Sequence, residues 1–274
     1  MTSVSIPAPI SADDSSSAPT VASRFRVYRT EAKYELIKQM RIPAFMIPTI
    51  GFPIMFYVLF GLVMQSGRPD ARGIATYMLA TYGAFGVIGI SLFALGVGVA
   101  VERGQGWLAV KRASPMPVSA YFTAKYLTTL VIGFILMVCI SAIGVIFGHV
   151  HMSVGHWAAL FAAECFGAIP FCAMGLAIGY LAGPNSAAPT VNIIYLPMAF
   201  LSGLFIPAPM LPKLLQGFAV VLPPYHLGQL ALDAVGAAPA SDALGHILAL
   251  LGFLALFTLI AFFAYRRDEG KTYG

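Results

Sequence analysis

The chain has 274 residues, 59% of them hydrophobic and only 10% charged, with a mean hydropathy of +0.83. Soluble domains carry about one quarter charged residues, so this composition excludes an ordinary water-soluble fold and points to an all-α polytopic membrane protein. The formal charge of +5 is not a nucleic-acid signal, because the basic residues gather at the ends of apolar runs. Segments of about ten residues with alternating polarity, the mark of a membrane β-barrel, do not occur.

Residues 1–23 are rich in Ser, Ala and Pro, with Asp13 and Asp14 as their only charges. They lack the basic start and apolar core of a secretory leader and read as a disordered cytoplasmic tail. Residues 24–41 carry Arg24, Arg26, Arg29, Lys33, Lys38 and Arg41, with Ser23 as N-cap. Phe25, Tyr28, Ala32, Leu36 and Met40 fall roughly on one helical face. This segment reads either as an amphipathic helix on an anionic inner leaflet or as a basic flank without a set fold.

Six spans are expected within residues 42–265. The first, about 42–64, contains Pro43 in its first turn and Pro48 and Pro53 in its interior, where each should kink it. The second, about 73–100, is dotted with Gly83, Gly86, Gly89, Gly96 and Gly98. A third covers about 120–148, followed by a loop with His149, His151 and His156; that loop can bind a metal or simply lie at the headgroup level. The fourth, about 157–182, carries Gly175, Gly179 and Gly183, a small-residue stripe suited to close helix packing. The fifth apolar run, 189–206, is short for a crossing. Pro207, Pro209, Pro212, Pro223 and Pro224 then bracket a short apolar piece, 213–222, so 207–236 reads as re-entrant. A sixth span, about 243–265, precedes a charged tail, 266–274.

With the N-terminus inside, thirteen of the 16 basic residues are cytoplasmic; only Arg68, Arg72 and Lys213 fall outside. Lys and Arg in short loops stay cytoplasmic. Both termini and the charged island at 101–118 are therefore expected on the cytoplasmic side of a plasma (inner) membrane. The proline-rich 207–236 region is then external.

No Gly-x-x-x-x-Gly-Lys-Ser/Thr, His-Glu-x-x-His or Gly-x-Ser-x-Gly stretch occurs, and no residue is assigned a catalytic or metal-binding role. Cys139, Cys165 and Cys172 lie inside spans and give no disulfide framework. Glu164 is a carboxylate deep in a span. It is either an ion relay or ligand for a cationic substrate, or a neutral glutamate packed between helices. Asn192 and Tyr195 either face a substrate route or tie helices together.

The island itself, with Glu102, Arg103, Gly106, Trp107, Leu108, Lys111 and Arg112, reads on physical grounds as a short helix stopped by Ser114-Pro115 or as a plain loop. Glu102, Arg103, Gly106, Ser114, Pro115 and Lys125 resemble, in order and spacing, the element between the second and third spans of the ABC-2 transporter permease superfamily. The run 200–207 (Phe-Leu-Ser-Gly-Leu-Phe-Ile-Pro), with Leu211-Pro212 and 222–225 (Leu-Pro-Pro-Tyr), is similar to that family's fifth-span end and re-entrant helices. Trp107 to Arg112 depart from the acidic or leucine-rich residues often found there.

The resemblance covers about residues 24–268 and implies a half-channel that works as a homodimer or pairs with a similar permease. A separate ATP-binding cassette ATPase holds ATP and Mg²⁺, while this chain binds no cofactor. The seven island residues from Glu102 to Arg112 named above would form the coupling helix against that ATPase, and Asn192, Tyr195, Phe200 and Glu164 are pathway candidates. Cargo would be hydrophobic or amphipathic (a drug, lipid or glycolipid), moved outward through the membrane. The competing readings are an ion-coupled transporter or channel using Glu164, and a membrane-embedded enzyme, for which no convergent acid/base set is found.

Overall fold

The computed structural model describes residues 21–272 except 115, 208–209 and 238–241, and not the side chains of 21–23, 112 and 269–272. Of the disordered tail expected over 1–23, residues 1–20 lie outside the described residues and 21–23 belong instead to a helix; Pro115, Pro209 and the side chain of Arg112 are also outside them. Helix α1, Val21–Met40, already includes Ser23, which is therefore inside the helix rather than its N-cap. Two residues later the chain enters α2, Pro43–Phe56, with Pro43 in its first turn. Pro48 and Pro53 do not end that helix. It runs on into a wider π-helical stretch, Tyr57–Val63.

Helix α3, Ala71–Leu92, is the centre of the molecule. Every residue from Leu79 to Leu92 is buried, as expected of a helix apolar on all sides. A π-helical turn, Phe93–Val97, joins it to α4, Gly98–Gly104. Together these make a 34-residue rod, about 51 Å long at 1.5 Å per residue. The hydrocarbon core is about 30 Å thick, so one end projects beyond it. After a break comes α5, Trp107–Ala113, and then α6, Val118–Gly148.

The fourth apolar run is two helices, α7 (Val154–Gly167) and α8 (Ile169–Leu181). Pro170 in the first turn of α8 lacks the N–H that would continue the ladder. The small-residue stripe on α8 packs against the central rod. A Cβ on Gly175 would lie 2.8 Å from the Ser91 carbonyl oxygen, and one on Gly179 2.8 Å from that of Leu95. Gly183 falls beyond the helix and is not part of this contact.

Helix α9, Ala187–Leu201, has 15 residues. Two short helices follow, α10 (Lys213–Ala219) and α11 (Pro223–Ala234), before α12, Ala243–Thr272. Among the described residues, five segments are long and apolar enough to cross a membrane: Pro43–Val63, Ala71–Gly104, Val118–Gly148, Val154–Leu181 and Ala243–Asp268. The fifth run expected from the sequence, α9, is the shorter exception. Outermost, α12 packs along α8, and α1 along α6.

Candidate functional site

The projecting end of the central rod carries Glu102 and Arg103. The chain then turns at Gly106, whose φ of 77° suits a residue without a side chain. The short helix expected over the island is thus the last turn of α4 followed by α5, which ends where Ser114 becomes extended. On α5, Leu108 is buried against Val99, Tyr121, Tyr180 and Ala264. Trp107 and Val110 point away, 55% and 62% exposed.

Glu102 is buried, and its charge is met from two other helices. Lys125 of α6 donates to Glu102 Oε1 at 2.6 Å, Lys38 of α1 donates to the same oxygen, and the Tyr121 hydroxyl donates to Oε2 at 2.6 Å. The same two lysines hold Glu35 of α1, Lys125 at 2.5 Å and Lys38 at 2.9 Å. Two carboxylates and two ammonium groups thus close a ring in which each buried charge is paired, the condition under which burial is tolerable. Burial opposes the charged Lys38 ammonium, but Glu102 and Glu35 more than offset this, and its pKa is raised. Beside the ring, Lys111 of α5 pairs with Glu31 of α1 and lies 4.7 Å from the centre of the Tyr121 ring.

Arg103 reaches the other way. It donates to the carbonyls of Tyr180 and Ala182, the latter at 2.7 Å, and pairs with Asp268 at 3.6 Å. Carbonyls at a helix C-terminus have no intrahelical donor and favour a cation, so this guanidinium seals the end of α8 and ties α12 to it.

A groove of about 1050 Å³ opens beside the ring. Tyr34 and Lys38 of α1 and Phe45, Phe52 and Phe56 of α2 form one wall, with Phe85, Gly89 and Phe93 of the rod at its back. Ala188, Asn192, Tyr195 and Leu196 of α9 face them. Tyr195 is fixed by its hydroxyl donating to the Phe85 carbonyl at 2.6 Å and by stacking on the Phe85 ring at 4.9 Å. Glu102, Gln105, Trp107 and Lys111 line the same groove.

Three of the island residues, Glu102, Trp107 and Lys111, therefore share one concavity with the pathway candidates Asn192 and Tyr195, while Arg103 and Leu108 turn elsewhere. Phe200 lies further along α9 and stacks on Phe205 at 4.3 Å. Glu164 is elsewhere, fully buried near Gly83 and Met137, with no hydrogen-bond partner for either oxygen among the described residues. Sequence reasoning missed Glu35, Lys38 and Asp268 as members of the hub. The usable signal was Glu31 and Glu35, one helical turn apart in an otherwise basic segment.

Residues 26–235 match the family model described as ABC-2 type transporter. The chain is also 30% identical over 244 residues to a Bacillus subtilis (strain 168) protein named as a transport permease, YvfS, a match covering 89% of this chain and 98% of that relative. A central apolar rod ending in a Glu-Arg hub, several membrane-length helices and these two matches lead to one assignment: the chain belongs to the ABC-2 type transporter family and is a multi-pass membrane protein of its transport permeases.

Proposed function

We propose that the chain is the permease subunit of an ATP-driven exporter. A separate ATP-binding cassette subunit, which holds ATP and Mg²⁺, would seat α5 in a surface groove. Two permeases, identical or similar, would form the pathway between them. In this reading the chain crosses the plasma (inner) membrane six times, α9 and the residues after it making the fifth crossing. Both termini and α5 are cytoplasmic, and 207–236 is an external re-entrant region.

The observation that carries this reading is the groove lined both by Trp107 and Lys111 of α5 and by Asn192 and Tyr195 of α9. Trp107 and Val110 offer an apolar contact to a partner, while Glu102 and Arg103 fasten the root of α5 to α1, α6, α8 and α12. A push on α5 is thereby delivered to four helices, of which α1 lines the groove. The aromatic walls suit a hydrophobic or amphipathic cargo taken from the inner side and released outward. Nucleotide shifts such a machine only through its differential affinity for the two states. Glu164 is outside this groove, so the ion-relay alternative gains no support from its position.

The test is reconstitution with a candidate ATP-binding cassette subunit from the same organism, followed by paired measurement of ATP hydrolysis and cargo movement. Trp107→Ala is expected to leave the permease folded and to lower both activities at least tenfold. Cargo movement without nucleotide, or unchanged coupling in Trp107→Ala, overturns the proposal.

A further inference from the structure

Helix α1 sorts its charges by sign. Tyr28, Ala32, Glu35 and Gln39 recur at helical spacing and face the bundle, where Glu35 and Gln39 are buried. Both acids of α1 are engaged inward, Glu35 with Lys125 and Lys38, and Glu31 with Lys111. Arg26, Arg29, Lys33, Ile37 and Met40 recur at the same spacing on the opposite side, and all but the half-buried Ile37 are exposed. Arg24 and Arg41 are exposed too, and no acid on the helix is. Set among these bases, Phe25 and Tyr34 are 71% and 64% exposed.

We infer that this outward face binds the headgroups of anionic phospholipids, with Phe25 and Met40 entering the headgroup boundary beside them. Three features favour lipid over a protein or nucleic-acid partner. Only Arg41 and Ile42 separate α1 from the apolar α2, so the helix is anchored at the edge of the bilayer. Exposed aromatic and aliphatic side chains interleaved with Lys and Arg are the pattern of a helix lying in a membrane interface. The face also carries uncompensated positive charge, complementary to an acidic leaflet. The inward ion pairs have a consequence here. Were Glu31 and Glu35 exposed, they would cancel much of that field; held against the bundle, they leave the outer face uniformly basic.

The side of the membrane rests on the topology proposed above, but the binding does not, and it is measured without any ATPase. The purified permease in zwitterionic phosphatidylcholine micelles is titrated with phosphatidylglycerol, and its thermal unfolding midpoint is followed. Phosphatidylglycerol is expected to raise the midpoint, less so at high salt. The triple variant Arg26→Gln, Arg29→Gln, Lys33→Gln is expected to need roughly 100-fold more of it for the same response. A charge-keeping variant, Arg26→Lys, Arg29→Lys, Lys33→Arg, should respond as the wild type does, which separates lost charge from lost packing. An equal response in the neutralised variant overturns the proposal. In a separate co-purification with a candidate ATP-binding cassette subunit, a neutralised variant that keeps its lipid response but loses that subunit also overturns it, because the face would then be a protein dock. Either outcome leaves the transport reading standing.

Discussion

Lys125 is the member of the charge ring whose loss is most costly. Its side chain is 3% exposed and it donates to Glu35 at 2.5 Å and to Glu102 at 2.6 Å. Lys38 touches the same two carboxylates, yet its side chain is 44% exposed. Lys125→Met keeps most of the apolar stem and deletes the charge, leaving two buried carboxylates against one half-solvated ammonium. Removing one partner of a buried pair costs about 3–5 kcal/mol, because the other charge stays buried and unpaired. Lys38→Met exposes the carboxylate edges to the groove, where water substitutes, and is expected to cost about 1 kcal/mol or less.

Adding Glu35→Gln to Lys125→Met restores charge balance and should recover part of the loss, a coupling on the order of 0.5–3 kcal/mol. The assay is equilibrium unfolding of the purified permease in mixed dodecyl maltoside and dodecyl sulfate micelles, read by the fluorescence of its 2 tryptophans. Equal losses for the two lysines, or a double variant no more stable than Lys125→Met, would refute the reasoning. The first result means that burial does not set the cost. The second means that the stem rather than the charge is what matters.

Gly175→Leu should abolish a stably folded permease, since even its Cβ would lie 2.8 Å from the Ser91 carbonyl oxygen and 3.2 Å from the Leu92 Cα, whereas Gly217→Ala meets nothing within 4 Å and should be neutral in the same unfolding assay. His226 on α11 and His246 on α12 face each other with Nδ1 atoms 2.9 Å apart. Burial and then the neighbouring His246 lower the His226 pKa from 6.5, against a raising contribution from the Val220 carbonyl. A depressed histidine contributes stability that is present above its unfolded pKa and lost as pH falls through its folded one. The thermal midpoint should therefore drop as pH falls below the ordinary histidine value of 6.5, and the drop should be reduced in His226→Gln; a parallel drop in that variant counts against the pair. Glu164→Met removes a fully buried carboxyl with no hydrogen-bond partner and is expected to stabilise the protein by about 1–3 kcal/mol with transport retained. A stable Glu164→Met variant that moves no cargo would instead favour the ion-relay reading.

Membrane class and the sites of the long helices were legible in the sequence because the cost of placing charge in lipid leaves a coarse signal, long runs with almost no Asp, Glu, Lys or Arg. The α8 stripe was legible for a related reason, as Gly175 and Gly179 at four-residue spacing have little use other than close approach. The break at Ala168 was not read, although Pro170 marks it. A proline near a helix start and one inside a helix look alike in sequence, and Pro48 and Pro53 show the opposite outcome within α2. The face of α1 was read differently too. Its apolar residues suggested a lipid-facing stripe through Phe25, Tyr28, Ala32, Leu36 and Met40, but the inner face is centred on Tyr28, Glu35 and Gln39. The balance was tipped by Lys125, 90 residues away from Glu35, and a partner that distant in sequence cannot be found by periodicity.

The island stands out in the sequence as a charged stretch between apolar runs, but how its residues divide among partners needed coordinates. Neighbours on a helix point about 100° apart, so Glu102 and Arg103 cannot serve the same partners. Glu102 gathers α1 and α6 through lysines, and Arg103 gathers α8 and α12 through carbonyls and Asp268. Glycines on either side suit this junction. A Cβ on Gly104 would strike Pro184 at 2.7 Å, and Gly106 takes the positive φ that turns the chain into α5. An apolar contact could hold four helices as firmly, since buried ion pairs often add little net stability over well-packed hydrophobic residues. What a ring of two acids and two lysines adds is a way to change partners. Lys38, half in water, can release Glu102 without stranding a charge while Lys125 keeps both carboxylates paired. Releasing Lys38 removes the direct link from Glu102 to α1, while Glu35–Lys125 and Glu31–Lys111 still hold that helix, and α1 with α2 forms one wall of the groove. That asymmetry between two lysines on the same pair of acids links the energetics of the hub to the wall of the groove.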